Sequence, residues 1–462
     1  MIVDRLFTPS LSHVAYLIAD EASGEVGVVD PRRDIQCYLD WADARGLHII
    51  AIFETHVHAD FVSGGKDLAE ATGATLYASR LGDQDFPHHP LDDGDDVRVG
   101  SLIVRAFWTP GHTPEHTSYL LIDPAQGDDP VAVFTGDALF VGDVGRPDLL
   151  GAARTQELMS QLFSTIIQRF ASLPDATIVY PGHTAGSSCG KKIGDAPDST
   201  IGAEKRTNHA FQPTTEEAFA SAVMTNMPLA PTYYPELKRV NKVGPAALAE
   251  LPLGEALTAE AVVAAQEGGA LVVDARTPAA FGAGHIPGAV FAGWGANFLT
   301  WMGWFAPYDR ETVFVLDDPA VFADLRTELQ RIGLDRIAGY LDGGMTAWTE
   351  AGYPAQTLAQ ESASDLAAQL GEAGDAIRVL DVRNASEFAD DHIEGAVNVF
   401  VGAIAQGAEV PFDVGEPLAV ICGTGYRSSV AASLLQARGY TGLVNVTGGM
   451  TAWNEADLPV EA

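Results

Sequence analysis

Cysteine is scarce in this chain: three residues in 462, at positions 37, 189 and 422. They are too few and too far apart for a disulfide framework, which fits a reducing compartment. Basic side chains are scarce as well. Lys and Arg number 27 against 62 Asp and Glu, and the formal net charge is -35. Such a surface repels phosphate, so nucleic acid is not an expected partner. The acidity fits a salt-adapted protein, where salt screens self-repulsion, and equally an acidic soluble protein of no special habitat. Long apolar runs are missing too. None approaches the ~18 residues of a membrane span. The opening Met1-Ile2-Val3-Asp4-Arg5 lacks the basic-then-apolar order of a signal peptide. A cytoplasmic location with no membrane contact is expected.

Histidine is concentrated. Ten of the twelve precede residue 210. The apolar run Ile49 to Phe53 reads as a buried strand and leads into Thr55-His56-Val57-His58-Ala59-Asp60. In an extended segment alternate side chains share a face, so His56, His58 and Asp60 are expected in one pocket. Three later strand-like runs end the same way, each with a Gly beside a metal-type residue. His112 follows Gly111, Asp137 follows Gly136, and His183 follows Gly182. Four strand ends thus deliver imidazoles and carboxylates, the donor set of a metal site. Strands are also expected at Val14–Ile18, Val26–Val29 and Thr75–Ala78. Helices are expected at Ile35–Arg45, Gly64–Ala71 and Arg154–Ser172.

The C-terminal half repeats itself. Asp274-Ala275-Arg276, Phe281 and Gly284-His285-Ile286 reappear 107 residues later as Asp381-Val382-Arg383, Phe388 and Asp391-His392-Ile393. Gly343-Gly344-Met345-Thr346-Ala347-Trp348 reappears 105 residues later as Gly448 to Trp453. The expected division is a metal-bearing unit at 1–240, a Gly/Pro-rich linker at 241–255, and two copies of one domain at 256–357 and 358–462. Each copy alternates strands and helices, so a mostly parallel α/β sheet is expected in each.

Only the second copy carries a nucleophile. Strand Leu418 to Ile421 runs into Cys422-Gly423-Thr424-Gly425-Tyr426-Arg427, then a helix. Converging backbone N–H groups and the helix N-terminus favour an anion on that sulfur. Arg427 adds a cation. The equivalent of Cys422 in the first copy is Asp317, and the glycines are gone.

The six-residue loop from Cys422 to Arg427, with the Asp-x-Arg, His-Ile-x-Gly-Ala and Gly-Gly-Met-x-Ala-Trp elements, resembles the rhodanese domains. The resemblance implies that Cys422 carries sulfane sulfur as a persulfide. Gly423, Thr424, Gly425 and Tyr426 would line its substrate, and the first copy would be inactive. The first unit resembles the metallo-β-lactamase fold, an αββα sandwich. The family pattern has a second His directly after the Asp; here it is Phe61. One neutral ligand of a second metal is therefore lost, and a single-metal site remains.

Spacing alone leaves open which of His56 and His58 touches the metal. The resemblance to persulfide dioxygenases of this fold favours His56, with His112 and Asp137, around one Fe(II) per chain. That two-His-one-carboxylate face leaves coordination sites free. His58, Asp60 and His183 would orient the ligands. The resemblance further implies oxidation of a low-molecular-weight thiol persulfide, such as glutathione persulfide, with O2 to sulfite, as in sulfide detoxification. Thiosulfate sulfurtransferase activity would accompany it, and the chain would form a homo-oligomer. Cys189, Lys191 and Arg146, in or near a Gly-rich loop, are candidate substrate contacts. Lys191, Lys192, Lys205 and Arg206 form a compact basic cluster. The alternative reading is a zinc thioester hydrolase of glyoxalase II type fused to a rhodanese sulfurtransferase.

Overall fold

A computed structural model describes residues 1–373 and 377–461. The last residue of the expected 358–462 domain lies outside them. The chain divides into two compact units. One is Met1–Leu251 with Gln330–Gly333; the other is Pro252–Leu329 with Leu334–Ala462.

In the first unit, β1 (Ile2–Thr8), β2 (His13–Asp20), β3 (Glu25–Val29), β4 (His48–Phe53), β5 (Thr75–Ser79) and β6 (His89–Leu91) form one sheet in that order. The second sheet runs β12 (Ser199–Thr200), β11 (Ile178–Pro181), β10 (Ala132–Gly136), β9 (Thr117–Ile122), β8 (Leu102–Trp108), β7 (Asp96–Val99). Residue alternation makes the layers. Val14, Tyr16 and Ile18 of β2 join Phe53, Val104, Tyr119 and Phe134 between the sheets. Ala15, Leu17 and Ala19 face the other way, onto helices α1 (Gln36–Asp43) and α2 (Gly65–Thr72). With both faces covered, every residue of β2 is buried, as a strand inside a layered fold must be. The outer face of the second sheet packs on α3 (Ala152–Ser164), α4 (Ile201–Thr207) and α5 (Glu216–Met224). The result is the expected αββα sandwich.

Two local departures matter near the site. The helix expected over Arg154–Ser172 is interrupted: α3 gives way to a π-turn at Thr165–Arg169. There the Thr165 hydroxyl donates to Pro110 O at 2.7 Å, and the turn abuts the loop carrying His112, a common setting for such bulges. Helix α6 (Tyr234–Val243) extends into the segment expected as linker. Its Asn241 is buried and donates to the carbonyls of His58 (2.9 Å) and Phe61 (2.7 Å).

In the second unit both sheets are wholly parallel. The first copy has β13 (Glu255–Leu257), β14 (Leu271–Asp274), β15 (Val290–Phe291), β16 (Thr312–Val315) and β17 (Ile337–Leu341), ordered β13-β17-β16-β14-β15. Its helices are α7 (Ala259–Glu267), α8 (Pro278–Ala283), α9 (Phe298–Phe305), α10 (Phe322–Arg331) and α11 (Gly344–Glu350). The second copy has β18 (Ala359–Ser362), β19 (Arg378–Asp381), β20 (Val397–Asn398), β21 (Leu418–Ile421) and β22 (Leu443–Thr447), ordered β18-β22-β21-β19-β20. Its helices are α12 (Ala363–Ala373), α13 (Ala385–Asp390), α14 (Val401–Ala405), α15 (Tyr426–Ala437) and α16 (Gly449–Glu455).

The repeated sequence elements are latches. His285 Nδ1 donates to Phe281 O at 2.8 Å, and His392 Nδ1 to Phe388 O at 2.9 Å. Trp348 Nε1 and Trp453 Nε1 donate to Pro354 O and Pro459 O, both at 2.9 Å. Each bond ties a loop or helix end to its neighbour, which is why the same residues recur at the same spacing.

Candidate metal centre and thiol loop

Strand β4 ends at Phe53, and the chain then leaves the extended conformation. His56, His58 and Asp60 therefore do not share one pocket. Each reaches a different carboxylate or imidazole.

His56 turns toward the ends of β8 and β10. Its Nε2 lies 3.9 Å from Asp137 Oδ2, and His112 Nε2 lies 3.6 Å from the same oxygen. These three atoms are buried and have no hydrogen-bond partner among the described residues. All three lie within 4.8 Å of one another. Their opposite edges are fully engaged. His56 Nδ1 donates to Thr55 Oγ1 (2.9 Å), which donates to Asp30 Oδ2 (2.8 Å). His112 Nδ1 donates to Arg146 O at 3.0 Å, and Asp137 Oδ1 accepts from His183 Nδ1 at 2.7 Å. Outer hydrogen bonds of this kind fix tautomer and ring direction in metal sites. Left alone, each unpaired buried atom costs about 1–3 kcal/mol. A divalent cation bridging them removes that cost, so the donor set fits a metal.

The electrostatics agree. Burial holds the His56 and His112 imidazoles below their ordinary pKa, leaving a lone pair on each Nε2. Burial alone would raise the Asp137 carboxyl. The charge and hydrogen bond of His183, then His112 and His56, outweigh it and keep Asp137 ionised.

Close backbone approach is required. Gly136 has φ of +48°, and a Cβ there would sit 2.6 Å from Thr55 Oγ1 and 2.7 Å from His116 Nε2.

His58 does not reach this centre. Its Nε2 lies 3.1 Å from Asp30 and 3.3 Å from Glu54. Burial opposes its charge, but those two carboxylates outweigh burial and raise its pKa well above normal. It is a buried imidazolium joined through Asp30 and Thr55 to His56. His183 behaves alike. Its Nε2 pairs with Asp60 at 2.7 Å, and against burial the Asp137 and Asp60 charges push its pKa up to about 10. Phe61 is fully buried against the His13 and His58 rings and offers no ligand atom.

The thiol loop closes the second copy's sheet. Cys422 follows β21 directly and is fully buried. Gly425, with φ of +95°, turns the chain so that its N–H donates to Cys422 Sγ at 3.1 Å. Ser428 Oγ lies 3.4 Å from the same sulfur. Helix α15 begins at the next residue, so its N-terminus backs the sulfur. Arg427 is held by two 2.7 Å bonds to the Glu387 carboxylate. The Tyr426 hydroxyl donates at 2.7 Å to Gly293 O of the first copy.

Comparison with known proteins follows the same division. Residues 11–183 match the metallo-beta-lactamase superfamily, and residues 258–351 and 362–456 each match the rhodanese-like domain. Human persulfide dioxygenase ETHE1 is 30% identical over 190 residues, 40% of this chain and 68% of that protein. A hydroxyacylglutathione hydrolase of Methylobacillus flagellatus is 36% identical over 162 residues, 35% of this chain and 58% of the hydrolase. The crystal structure of a metallo-beta-lactamase from Staphylococcus aureus superposes with a TM-score of 0.67 at 35% identity. That match covers 73% of this chain and 98% of the other. The chain belongs to the metallo-β-lactamase superfamily. It carries two rhodanese-like domains behind that fold, the architecture of a persulfide dioxygenase–rhodanese fusion.

Within this fusion, two expected substrate contacts carry structural hydrogen bonds. The Arg146 guanidinium is buried. It donates to both Asp148 oxygens (2.7 and 2.8 Å), to Ser188 O (3.3 Å) and to Pro228 O (2.8 Å). Four of its five N–H groups are thus committed to holding loops. Lys191 Nζ donates at 2.6 Å to Ala222 O, among the last carbonyls of α5, and so caps that helix. Lys205 pairs with Asp175 at 2.7 Å, so the basic cluster is divided among separate partners. Cys189 is buried beside Asp60 and His183, 3.7 Å from the Tyr234 hydroxyl. Burial, then Asp137 and Asp60, raises its pKa well above the ordinary value, so it is a thiol.

Other residues near the centre carry no sequence signal. His116 accepts the Asp137 N–H at Nε2 (3.1 Å) and donates from Nδ1 to Thr109 (2.9 Å); burial drops its pKa to about 3. Lys238 of α6 is lowered by burial, and its charge acts on both His112 and Cys189. Among the described residues no helix is long and apolar enough to cross a membrane.

Proposed function

We propose that the protein oxidises a low-molecular-weight thiol persulfide to sulfite and thiol at one iron held by His56, His112 and Asp137. The balance is R-S-SH + O2 + H2O → R-SH + sulfite + two protons. The outer sulfur loses four electrons, and O2 gains them. His56, His112 and Asp137 would hold the iron by two imidazoles and one carboxylate, and the bound metal would supply the redox chemistry that joins O2 to the substrate sulfur. The protein's own residues keep both imidazoles neutral and aimed, through Thr55–Asp30 on one side and the Arg146 carbonyl on the other. Cys422 carries sulfane sulfur as a persulfide and passes it to sulfite, giving thiosulfate. The S–S bond of the Cys422 persulfide breaks, its outer sulfur bonds to sulfite, and Cys422 leaves as the thiolate that Gly425 N–H faces. Gly423, Thr424 and Gly425 form the cradle, and Arg427 offers charge to the oxyanion.

The observation that carries this reading is the trio of buried, unpartnered donor atoms, two imidazole and one carboxylate. The hydroxyacylglutathione hydrolase relative favours a second reading, a zinc thioester hydrolase. Phe61 weighs against it, because the residue after Asp60 contributes no ligand. One experiment separates the two. Oxygen uptake is followed after adding glutathione persulfide to Fe(II)-loaded and Zn(II)-loaded protein. Rapid uptake with iron only, with sulfite as product, supports the dioxygenase. No uptake with iron, but thioester cleavage with zinc, replaces it with the hydrolase.

A further inference from the structure

The two copies in the second unit hold the same buried ion pair with one difference. In the second copy, Arg383 is bonded on all sides. Nε and Nη2 donate to Asp381, Nη2 also to the Asp391 carbonyl, and Nη1 to the Asp391 carboxylate at 2.8 Å. In the first copy, Arg276 repeats the first three contacts. Nε and Nη2 donate to Asp274, and Nη2 donates to Gly284 O at 2.6 Å. The carboxylate is missing, because Gly284 stands where Asp391 stands. Arg276 Nη1 has no hydrogen-bond partner among the described residues, although the side chain is only 8% exposed. That edge is not sealed in the interior: it stays accessible beside the cavities that Arg276 lines, where water or a ligand supplies the acceptor.

That side chain lines two cavities of the first copy, of about 300 and 400 Å3, which share Leu316 and Asp317. The first is walled by Trp294 and by Tyr426 from the thiol loop, with Asp317 and Asp318 beside them. A simple anion is a poor fit. Asp274 already balances the Arg276 charge, and the neighbouring carboxylates repel a second negative group. A ligand carrying both signs matches both features. We infer that the degenerate copy is a binding site for an α-amino-acid zwitterion, its carboxylate on Arg276 Nη1 and its ammonium facing Asp317 and Asp318. Glutathione and cysteine end in such a group. Neither Cys422 nor Arg427 lines the cavity, so its occupancy is read without turnover.

The second copy supplies the test. Gly284→Asp restores the missing acceptor. Gly284 has extended backbone, and a Cβ there meets only Ala355 Cβ at 3.8 Å, ordinary contact. The full-length, metal-free protein is titrated calorimetrically with S-methylglutathione, which has no transferable sulfur, and with its N-acetyl derivative. Wild type is expected to bind one more equivalent of S-methylglutathione than G284D. The N-acetyl derivative is expected to bind that site at least tenfold more weakly. A D317N/D318N double variant, which leaves the buried pair untouched, is expected to weaken binding at least tenfold. Retained thiosulfate:cyanide turnover verifies that each variant is folded. Equal stoichiometry in wild type and G284D would overturn the site, and equal binding of the acetylated ligand would overturn the zwitterion. Failure of oxygen uptake touches neither result.

Discussion

Replacing Thr55 by Val tests whether the chain Asp30–Thr55–His56 aims the metal ligand. The two side chains have nearly the same shape, and Thr55 is fully buried, so the change removes polarity with little change in packing. It deletes two hydrogen bonds, from His56 Nδ1 (2.9 Å) and to Asp30 Oδ2 (2.8 Å). Asp30 keeps the Thr55 backbone N–H and His58, so its loss lies at the low end of the scale. His56 Nδ1 keeps nothing. With about 1–3 kcal/mol per buried group left unpaired, the metal-free protein should lose about 2–4 kcal/mol. Metal affinity should fall separately, because His56 is no longer held in one tautomer and direction. Loss of such an outer partner typically costs about 10–100-fold, or about 1.4–2.8 kcal/mol. The assay is chelator competition for Fe(II) under anaerobic conditions, with thermal melts of the metal-free forms alongside. If T55V binds Fe(II) as tightly as wild type while melting lower, the chain is structural only. The claim that Thr55 and Asp30 aim His56 would then be refuted.

His112→Ala should abolish iron binding and oxygen uptake but leave thiosulfate:cyanide turnover intact, while Cys422→Ser should do the reverse; assaying both variants for both activities decides it. Glu387→Ala frees the Arg427 guanidinium from its paired 2.7 Å bonds and should lower thiosulfate kcat/KM about tenfold, about 1.4 kcal/mol, with Arg427→Lys, which cannot make both bonds, falling comparably. Burial would raise the Glu387 carboxyl, but the Arg427 hydrogen bond and charge outweigh it and depress its folded pKa. Stability from that pair is therefore present above the ordinary Glu pKa of about 4.3 and lost as pH falls below it toward the folded value; denaturation of wild type and E387Q should converge on acidification. Gly136→Ala puts a methyl 2.6 Å from Thr55 Oγ1 at a φ of +48°, and should melt several degrees lower with weakened metal binding.

Much of the fold was legible because the signals were periodic or repeated. Short apolar runs located β2, β3 and β4, and the Asp-x-Arg repeat located two parallel-sheet copies. Strand ends located His112, Asp137 and His183, since a Gly beside each lets the backbone come close. The immediate surroundings of His56 were not legible. Extended geometry predicted that His56, His58 and Asp60 share a face, but the ladder stops at Phe53 and each side chain follows its own electrostatic partner. Of those partners, Asp30 and His183 come from other strand ends, while Glu54 is the residue that directly follows β4. The structural hydrogen bonds of Arg146 and Lys191 were not legible for a related reason. A cation in a Gly-rich loop looks free in sequence, and only the fold brings Ser188 O and Pro228 O to Arg146 or Ala222 O to Lys191. His13 shows the limit. It is fully buried, touches Phe61 and lies 5.6 Å from the His183 ring, yet stands in an ordinary hairpin with no motif around it.

The pattern of loss in the first copy separates chemistry from architecture. The thiol Cys422 corresponds to Asp317, the guanidinium Arg427 to Phe322, and its carboxylate anchor Glu387 to Ala280. All three changes fall on groups that face the sulfur or hold one that does. The buried pair Asp381–Arg383 persists as Asp274–Arg276, and the His and Trp latches persist with bond lengths within 0.1 Å. If the first copy were only a spacer, its cleft would be free to fill with apolar side chains. It instead keeps two cavities and a guanidinium whose partner has been removed rather than replaced. Asp391 closes that edge in the working copy, and Gly284 opens it in the degenerate one. Loss of the reaction and opening of the pair thus occur in the same copy, which argues that the domain exchanged turnover for ligand binding. The Tyr426–Gly293 bond links that cleft to the residue next to Arg427. Tyr426 also walls the cavity, so Tyr426→Phe should weaken S-methylglutathione binding in the first copy; unchanged affinity would exclude the Tyr426 hydroxyl from the site.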